Sequence, residues 1–174
     1  SRGSVIPTVV DQVRRGEAVN VTDPMMTRFV MSIQRAVQGL FRALERMLGG
    51  EVFVLKMPAI TVGDLIGAVV ALAAERLGRP ASSVEIRTIG HRIGERMHEL
   101  LLNETECRGA LEDEEMYIIP PHPELWGTLA DPYATSTLKK VEVKGVGSES
   151  ARRLSREEFM RTLISEGIAD QLIR

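Results

Sequence analysis

Hydrophobic residues recur at two spacings along this chain, and the two spacings predict both helices and strands. Over residues 33–48 the apolar positions fall three or four residues apart, which is typical of an α-helix with one apolar face. Ser32 before this segment and Gly49 after it are typical helix boundaries. Residues 51–57, by contrast, are rich in β-branched and aromatic side chains between a glycine and a proline, which predicts a buried strand.

The same rules extend over the rest of the chain. Capping pairs are Thr61 with Asp64, Asn103 with Glu106, and Ser155 with Glu158. The patterns predict helices over residues 4–15, 65–77, 94–102 and 157–165, a short helix after residue 103, strands over 19–21, 84–89, 116–119 and 139–143, an extended segment over 27–31, and a loop over 120–137. This order predicts a mixed α/β fold without internal repeats.

Composition and charge exclude several classes of protein. The chain has 174 residues and a net charge of -2 from 22 basic and 24 acidic residues, whereas nucleic-acid binders are usually more basic. Cys107 is the single cysteine, which excludes an intramolecular disulfide and a thiolate-rich metal site. The longest apolar run, residues 65–74, has half the length that a bilayer requires, and no signal peptide is recognisable, so we expect a cytoplasmic protein. The chain starts with Ser1 rather than Met, which raises the hypothesis of a fragment.

The most informative polar segment is GHRIGERMHE at residues 90–99. Arg92, Glu95 and Arg96 lie beside two glycines at the predicted start of a helix, where free N–H groups favour an anion. Arg92 offers a bidentate fork for a phosphate, and Glu95 offers a carboxylate for sugar hydroxyls. The alternative is an ordinary charged helix start.

Arg28 is a second candidate for anion binding. It stands between Thr27 and Phe29, and such an arginine either pairs with a carboxylate or faces an anionic ligand. The three histidines show no metal-ligand spacing, and a catalytic motif is missing: there is no G-x-G-x-x-G, P-loop or G-x-S-x-G, and neither tyrosine has a lysine four residues later. The residues predict an anion site without a catalytic group.

An ordered series of motifs resembles one family, the extended short-chain dehydrogenases/reductases that act on nucleotide sugars. The similarity is to their C-terminal half, above all in the inverting UDP-N-acetylglucosamine 4,6-dehydratases and the related capsular polysaccharide biosynthesis proteins. The motifs are SRGSVIP at 1–7, VTDPMMTRF at 21–29, GEVFVLKMPAITVGDL at 50–65, GHRIGERMHELL at 90–101 and MYIIPP at 116–121, with a weaker match over 148–163.

This resemblance implies a fold and a cofactor. Residues 28–57 resemble the last helix and strand of the family's Rossmann sheet, and residues 58–174 resemble its small α+β substrate-binding subdomain and tail. The NAD(P)-binding half, with its Gly-rich loop and Tyr-x-x-x-Lys pair, is not in this sequence. The resemblance therefore implies NAD or NADP in the full-length parent, no cofactor bound by this chain alone, and an inactive chain on its own.

The resemblance also implies a substrate site. Arg92 and Arg28 would contact the diphosphate of a UDP-sugar, and Glu95 would hold the ribose hydroxyls. Arg2 would lie near the phosphates or the sugar, and Thr22 with its strand would lie against the uracil. Two departures from the family pattern, Ile93 for proline and Arg96 for lysine, remove no group that binds ligand.

The function implied is the UDP-sugar-binding part of a UDP-N-acetylglucosamine 4,6-dehydratase in polysaccharide biosynthesis. A UDP-sugar 4-epimerase fragment, a non-catalytic nucleotide-sugar-binding or regulatory module, and a protein-interaction domain stay open as alternatives. The strand over 51–57 would expose an apolar edge in this chain alone. We therefore expect the chain to pair with the missing Rossmann half or with a second copy of itself, and to form a homo-oligomer. We expect no binding of nucleic acid. A membrane anchor in the upstream part of the parent stays an open alternative.

Overall fold

The structure is a computed structural model that describes residues 5–121, 133 and 137–171. Its helices are α1 (Val5–Arg15), α2 (Ile33–Arg46), α3 (Val62–Arg76), α4 (Glu104–Cys107), α5 (Arg156–Ser165) and α6 (Ile168–Gln171), with a 3₁₀ turn at Ala81–Ser83. Its strands are β1 (Val19–Val21), β2 (Thr27–Phe29), β3 (Val52–Leu55), β4 (Ala59–Thr61), β5 (Ile86–Thr88), β6 (Leu100–Leu102), β7 (Leu111–Glu112), β8 (Met116–Ile119), β9 (Lys139–Lys140) and β10 (Val146–Gly147). The fold is mixed α/β, as the periodicity predicted.

The chain divides into two compact units, each assembled from separate stretches of sequence. Within the described residues, unit 1 contains residues 5–29, 59–99 and 152–171, and unit 2 contains residues 30–58 and 100–151 with the gaps already given. The domain boundary expected near residue 57 stays a prediction.

Helix α3 is the centre of unit 1. Thr61 caps its first turn by accepting a hydrogen bond from the Asp64 N–H at 3.0 Å and donating one to the Asp64 carboxylate at 2.8 Å. Eight of its fifteen residues are buried, and α1 and α5 pack against it. A helix that is apolar on most sides needs neighbours on most sides, and unit 1 supplies them.

Two small sheets complete unit 1. Strands β1 and β5 pair in parallel, with Val21 opposite Thr88, whereas β2 and β4 pair antiparallel, with Thr27 opposite Thr61. Because β1 and β5 are parallel, the segments that follow them leave the sheet at the same edge. The two segments with candidate functional residues therefore begin side by side.

Unit 2 contains a four-stranded antiparallel sheet in the order β3-β8-β7-β9 and a separate β6-β10 pair. Its small core consists of Leu102, Cys107, Ala110, Val141 and Val146. Strand β3 is the terminal strand of the described sheet, and the Val52 side chain is 54% exposed. The expectation that this strand is buried was wrong for this chain, because no further strand in the described residues pairs with its outer edge.

The helix expected over residues 94–102 was also wrong. Gly90 and Gly94 have φ angles of +84° and +88°, in the left-handed region that favours glycine and interrupts an α-helix. Residues 100–102 instead form β6, which pairs with β10. The local spacing of Met97, Leu100 and Leu101 suits a helix, but pairing with a segment more than forty residues later, which local periodicity cannot reveal, decides the structure.

Candidate functional site

The candidate site is built from two segments of unit 1, residues 22–28 after β1 and the loop 90–99 after β5. The Ile89 N–H donates to the Val21 carbonyl at 2.8 Å, where the two segments begin. The Thr27 N–H donates to the Met97 carbonyl at 2.9 Å, close to the end of both. Backbone hydrogen bonds therefore fasten the loop to the neighbouring segment at both ends.

Arg28 is occupied by contacts within this site. Its guanidinium donates to the Thr27 carbonyl at 2.8 Å, to the Met97 carbonyl at 3.3 Å and to the Met26 sulfur at 3.3 Å, and its Nε lies 3.4 Å from a Glu99 carboxylate oxygen. Of the two alternatives given for Arg28 from the sequence, the structure shows pairing with a carboxylate. The contact of Arg28 with a diphosphate stays a prediction.

Arg92 and Glu95 close a tight turn in the middle of the loop. The Glu95 N–H donates to the Arg92 carbonyl at 3.1 Å, and the Arg92 N–H donates to the Glu95 carboxylate at 3.2 Å. Both residues are exposed, and the structure places them on a turn rather than on the predicted helix start. The anion site therefore lacks helical N–H groups, and what remains is an accessible guanidinium three residues from a carboxylate.

The structure adds a pair that the sequence analysis missed. His91 Nε2 lies 2.8 Å from an Asp23 carboxylate oxygen, and the other oxygen accepts the Met25 N–H at 2.7 Å. The Met25 N–H, and after it the His91 ring, lower the pKa of the Asp23 carboxyl. The signal in the sequence was the place of both residues, because Asp23 comes two residues after β1 and His91 three residues after β5, and these two strands form one parallel pair.

A second histidine contact joins the same two segments. The Thr27 hydroxyl lies 2.8 Å from His98 Nδ1, and Thr27 is only 2% exposed. Thr22, also predicted to belong to the site, donates from its hydroxyl to the Met26 sulfur at 3.6 Å. Each histidine of the loop thus contacts the 22–28 segment, His91 near its start and His98 near its end.

The predicted site residues Thr22, Arg28, Arg92 and Glu95 all belong to these two adjoining segments. Arg2 lies outside the described residues, and the predicted role of each of the five in binding stays a prediction. In the part of the chain that the structure describes, no group of three or more His, Cys, Asp or Glu side chains is suited to holding a metal ion. None of the helices described is long and apolar enough to cross a membrane.

Comparison with known proteins places this chain in a family. Residues 1–121 match the model of the family described as polysaccharide biosynthesis protein. A UDP-glucose 4-epimerase of Rickettsia canadensis is 33% identical over 95% of this chain and 46% of its own length. The inverting UDP-N-acetylglucosamine 4,6-dehydratase of Campylobacter jejuni is 33% identical over 70% of this chain and 33% of its own length.

Two further matches extend the comparison. An uncharacterised membrane protein of Methanocaldococcus jannaschii is 40% identical over 70% of this chain and 37% of its own length. The X-ray structure of Pen from Bacillus thuringiensis superposes with a TM-score of 0.79 at 29% identity, covering all of this chain and 47% of that one. The chain thus spans less than half the length of each of these proteins. It belongs to the polysaccharide biosynthesis protein family, and the match confirms the resemblance to extended short-chain dehydrogenases/reductases that act on nucleotide sugars.

Proposed function

We propose that this chain is the UDP-sugar-binding part of an NAD(P)-dependent UDP-N-acetylglucosamine 4,6-dehydratase in polysaccharide biosynthesis. The observation that carries the proposal is the fastening of loop 90–99 onto residues 22–28, which assembles Arg92, Glu95, Arg28 and Thr22 in one unit. The name of the Campylobacter jejuni relative supports the substrate and the reaction. Two cationic side chains and a carboxylate suit a ligand with a diphosphate and a ribose.

Each residue has a proposed role in holding this ligand. Arg92, which is exposed, binds the diphosphate, and Glu95 on the same turn accepts hydrogen bonds from the ribose hydroxyls. Arg28 reaches the diphosphate by exchanging Glu99, whose carboxylate oxygen lies 3.4 Å from Nε, for the phosphate oxygens. Thr22 lies beside the uracil, and Arg2 lies near the phosphates or the sugar.

The chemistry requires a cofactor that we place in the remainder of the parent enzyme. NAD or NADP would accept the hydride from the sugar C4 and return it after water leaves across C5 and C6. The sequence of this chain has no Gly-rich dinucleotide motif and no Tyr-x-x-x-Lys pair. The proposed task of its own residues is to bind and orient the UDP-sugar, so we expect the chain alone to be inactive.

A UDP-sugar 4-epimerase is the second candidate. The observation that favours it is the match to the Rickettsia canadensis epimerase over 95% of this chain, which includes the tail beyond residue 121. Product analysis with the full-length parent separates the two reactions. A dehydratase yields a 4-keto-6-deoxy sugar lighter by one water, whereas an epimerase yields an isomer of unchanged mass.

Titration calorimetry of this chain with UDP-N-acetylglucosamine tests the binding site. Arg92→Ala should weaken binding by about 2–5 kcal/mol, because the ligand desolvates this charge against the diphosphate. Glu95→Ala should weaken binding of the nucleotide but leave pyrophosphate unaffected. Arg87→Ala is the matched control, since Arg87 is also an exposed arginine of unit 1 but pairs with Glu85. Equal affinities for the Arg92 and Arg87 variants would refute the assignment.

The partner proposal is based on helix α2 of unit 2, whose apolar face points to solvent. Gly39 is the only buried residue of this helix. The apolar residues Ile33, Val37, Leu40, Phe41 and Leu44 lie along one face and are 45–80% exposed. A continuous apolar stripe of this length usually covers a partner surface.

The face of α2 opposite the stripe is the one that meets other residues of unit 2. Arg42 pairs with Glu115, and Arg46 Nη1 lies 2.6 Å from Asp113 Oδ2, and both carboxylates belong to the turn between β7 and β8. Gly39 allows close approach to the sheet, since a Cβ there would lie 2.4 Å from the Leu55 side chain. With this face directed to the sheet and its turn, the apolar stripe has no cover from the described residues of unit 2.

We therefore propose that the α2 stripe and the outer edge of β3 bind the missing Rossmann half. The alternative partner is a second copy of the chain. We also propose that the parent enzyme is a homo-oligomer. Sedimentation of the chain should show a dimer or larger species, and the double variant Leu40→Glu/Leu44→Glu should reduce its mass. Ile164→Glu, at an exposed apolar residue of α5 in unit 1, is the control. When the upstream half of the parent is co-expressed, it should co-purify with the wild-type chain but not with the double variant. A stable monodisperse monomer that ignores the upstream half would overturn this proposal.

A further inference from the structure

The pair Asp23–His91 is a side-chain contact at the start of the candidate loop, immediately before its exposed turn. The backbone bonds Ile89–Val21 and Thr27–Met97 fix the loop at its two ends, with seven residues between Ile89 and Met97. Between them stand Gly90 and Gly94, both with positive φ, and the exposed turn of Arg92 and Glu95. Glycines permit many conformations, so the turn needs further contacts to keep one of them.

His91 supplies such a contact immediately beside the turn. Its Nε2 bonds the Asp23 carboxylate at 2.8 Å, and the Met25 N–H holds the other oxygen of that carboxylate at 2.7 Å. The carboxylate is thus oriented before it meets the ring. His91 is 45% exposed in its side chain and Asp23 is 24% exposed, so the pair is reachable by solvent and by protons.

We propose that Asp23 and His91 are positioning residues, which hold the Arg92–Glu95 turn in the conformation that binds a UDP-sugar. The claim that the turn binds a UDP-sugar rests on the proposed function. The claim that Asp23 and His91 hold the turn in one conformation does not. The second histidine, His98, contacts Thr27 at the far end of the loop, where a backbone bond already fixes the chain. The structure therefore assigns the two histidines unequal importance, with His91 the larger.

The first experiment needs no ligand. Amide hydrogen exchange of residues 92–95 is measured by NMR in the wild-type chain, His91→Ala, Asp23→Asn and a control, Asp170→Asn, which removes an exposed carboxylate paired with Arg76 in the same unit. Both pair variants should accelerate exchange about two- to fivefold, the effect of losing an exposed ion pair. Exchange in either pair variant that matches the control would overturn the fastening.

The second experiment measures UDP-N-acetylglucosamine affinity. His91→Ala should bind about two- to fivefold more weakly than the wild type, the effect of losing an exposed ion pair. His91→Gln, which retains a hydrogen-bond donor, should recover the wild-type affinity, and a His91→Gln variant as weak as His91→Ala would contradict the positioning role.

Asp23→Asn separates positioning from direct attraction between His91 and the diphosphate. A positioning role predicts weaker binding in this variant, since the ring loses its charged partner. Direct attraction predicts unchanged or tighter binding, because a negative charge near the ligand is gone, and that result would refute positioning. If the wild type binds no UDP-sugar at all, the proposed function fails while the hydrogen-exchange result still decides whether the pair fastens the turn.

Discussion

Helices α3 of unit 1 and α2 of unit 2 have similar lengths, but most residues of α3 are buried whereas almost all residues of α2 are accessible to solvent. Eight of the fifteen residues of α3 are buried, whereas one of the fourteen residues of α2 is. Unit 1 surrounds its central helix with α1 and α5. Unit 2 meets α2 at Gly39, which faces the sheet, and at Arg42 and Arg46, which pair with the turn between β7 and β8, and it leaves the apolar face uncovered. A regular apolar pattern therefore identifies a surface to be buried, but not what buries it.

The largest expected difference is between two aliphatic truncations. Ile66→Ala in α3 should lower the free energy of unfolding by about 2–5 kcal/mol, because a side chain that is 2% exposed leaves a cavity. Leu40→Ala in α2 should change it by less than about 0.5 kcal/mol at a protein concentration where the chain is monomeric, because that residue is 58% exposed in a single copy. Urea unfolding of both variants checks this. Equal losses would show that α2 is already covered, and the comparison of the units would fail.

Substitution of one glycine in each helix gives a smaller difference. Gly67→Ala in α3 displaces only the end of the Arg156 side chain and gains helix propensity, so we expect stabilisation of up to about 1 kcal/mol. Gly39→Ala in α2 meets three Leu55 side-chain atoms at 2.4–3.0 Å, so we expect a net loss of about 1 kcal/mol. Thermal unfolding distinguishes the two signs. A stabilising Gly39→Ala would mean that α2 does not pack closely on β3.

The N-caps of α5 and α2 should differ less in their contribution to the free energy of unfolding. Ser155 forms a complete capping box with Glu158 at the start of α5, whereas Ser32 at the start of α2 accepts one hydrogen bond, from the Arg35 N–H. Ser155→Ala should cost about 1–2 kcal/mol and Ser32→Ala about 0.5 kcal/mol in urea unfolding. A larger loss for Ser32→Ala would indicate that the start of α2 carries more of the stability than its exposure suggests.

The smallest expected effect is a pH dependence in unit 1. The Ser155 N–H, and to a lesser degree Arg152, lower the pKa of Glu158 below its ordinary value near 4.5. A carboxylate with a lowered pKa stabilises the fold above its ordinary pKa, and this contribution is lost as the pH falls through the folded value. The wild type should therefore have a higher melting temperature than Glu158→Gln at pH 7, and this difference in melting temperature should disappear as the pH falls below about 4.5. A constant gap down to about pH 3 would contradict the prediction.

Much of the fold could be predicted because its signals are local. The capping pairs at Asn103 and Ser155 form both hydrogen bonds of a capping box, whereas Thr61 accepts the expected bond from the Asp64 N–H and contacts the Asp64 carboxylate through its hydroxyl. The helix at 33–46 follows from apolar periodicity and its Ser32 cap, and the strand at 116–119 follows from its residue types and the prolines after it. The short strands β4, β7 and β10 were missed, because two or three residues carry no periodic signal and form strands only when a partner pairs with them.

The candidate site was predictable in part. Arg92, Glu95 and Arg28 became candidates because their residue types suit a diphosphate and a ribose, and the resemblance to the family added Thr22 and Arg2. Their roles in binding stay predictions. The Asp23–His91 contact was not found, because it joins residues 68 positions apart and depends on the parallel pairing of β1 and β5. The expected helix at 94–102 drew attention to helical N–H groups that the loop does not have.

The sequence by itself determined the mixed α/β class, the family and the choice of candidate residues, because residue types, caps and ordered motifs are local properties of the chain. Only the tertiary structure decided that the candidate site is a loop fastened to a neighbouring segment and that Arg28 is engaged by Glu99. Only the tertiary structure, too, showed that Arg42 and Arg46 of α2 pair with the turn between β7 and β8. These features depend on strand pairing and on the competition of distant segments for one surface, and the free energy of those contacts is not encoded at any single stretch of sequence.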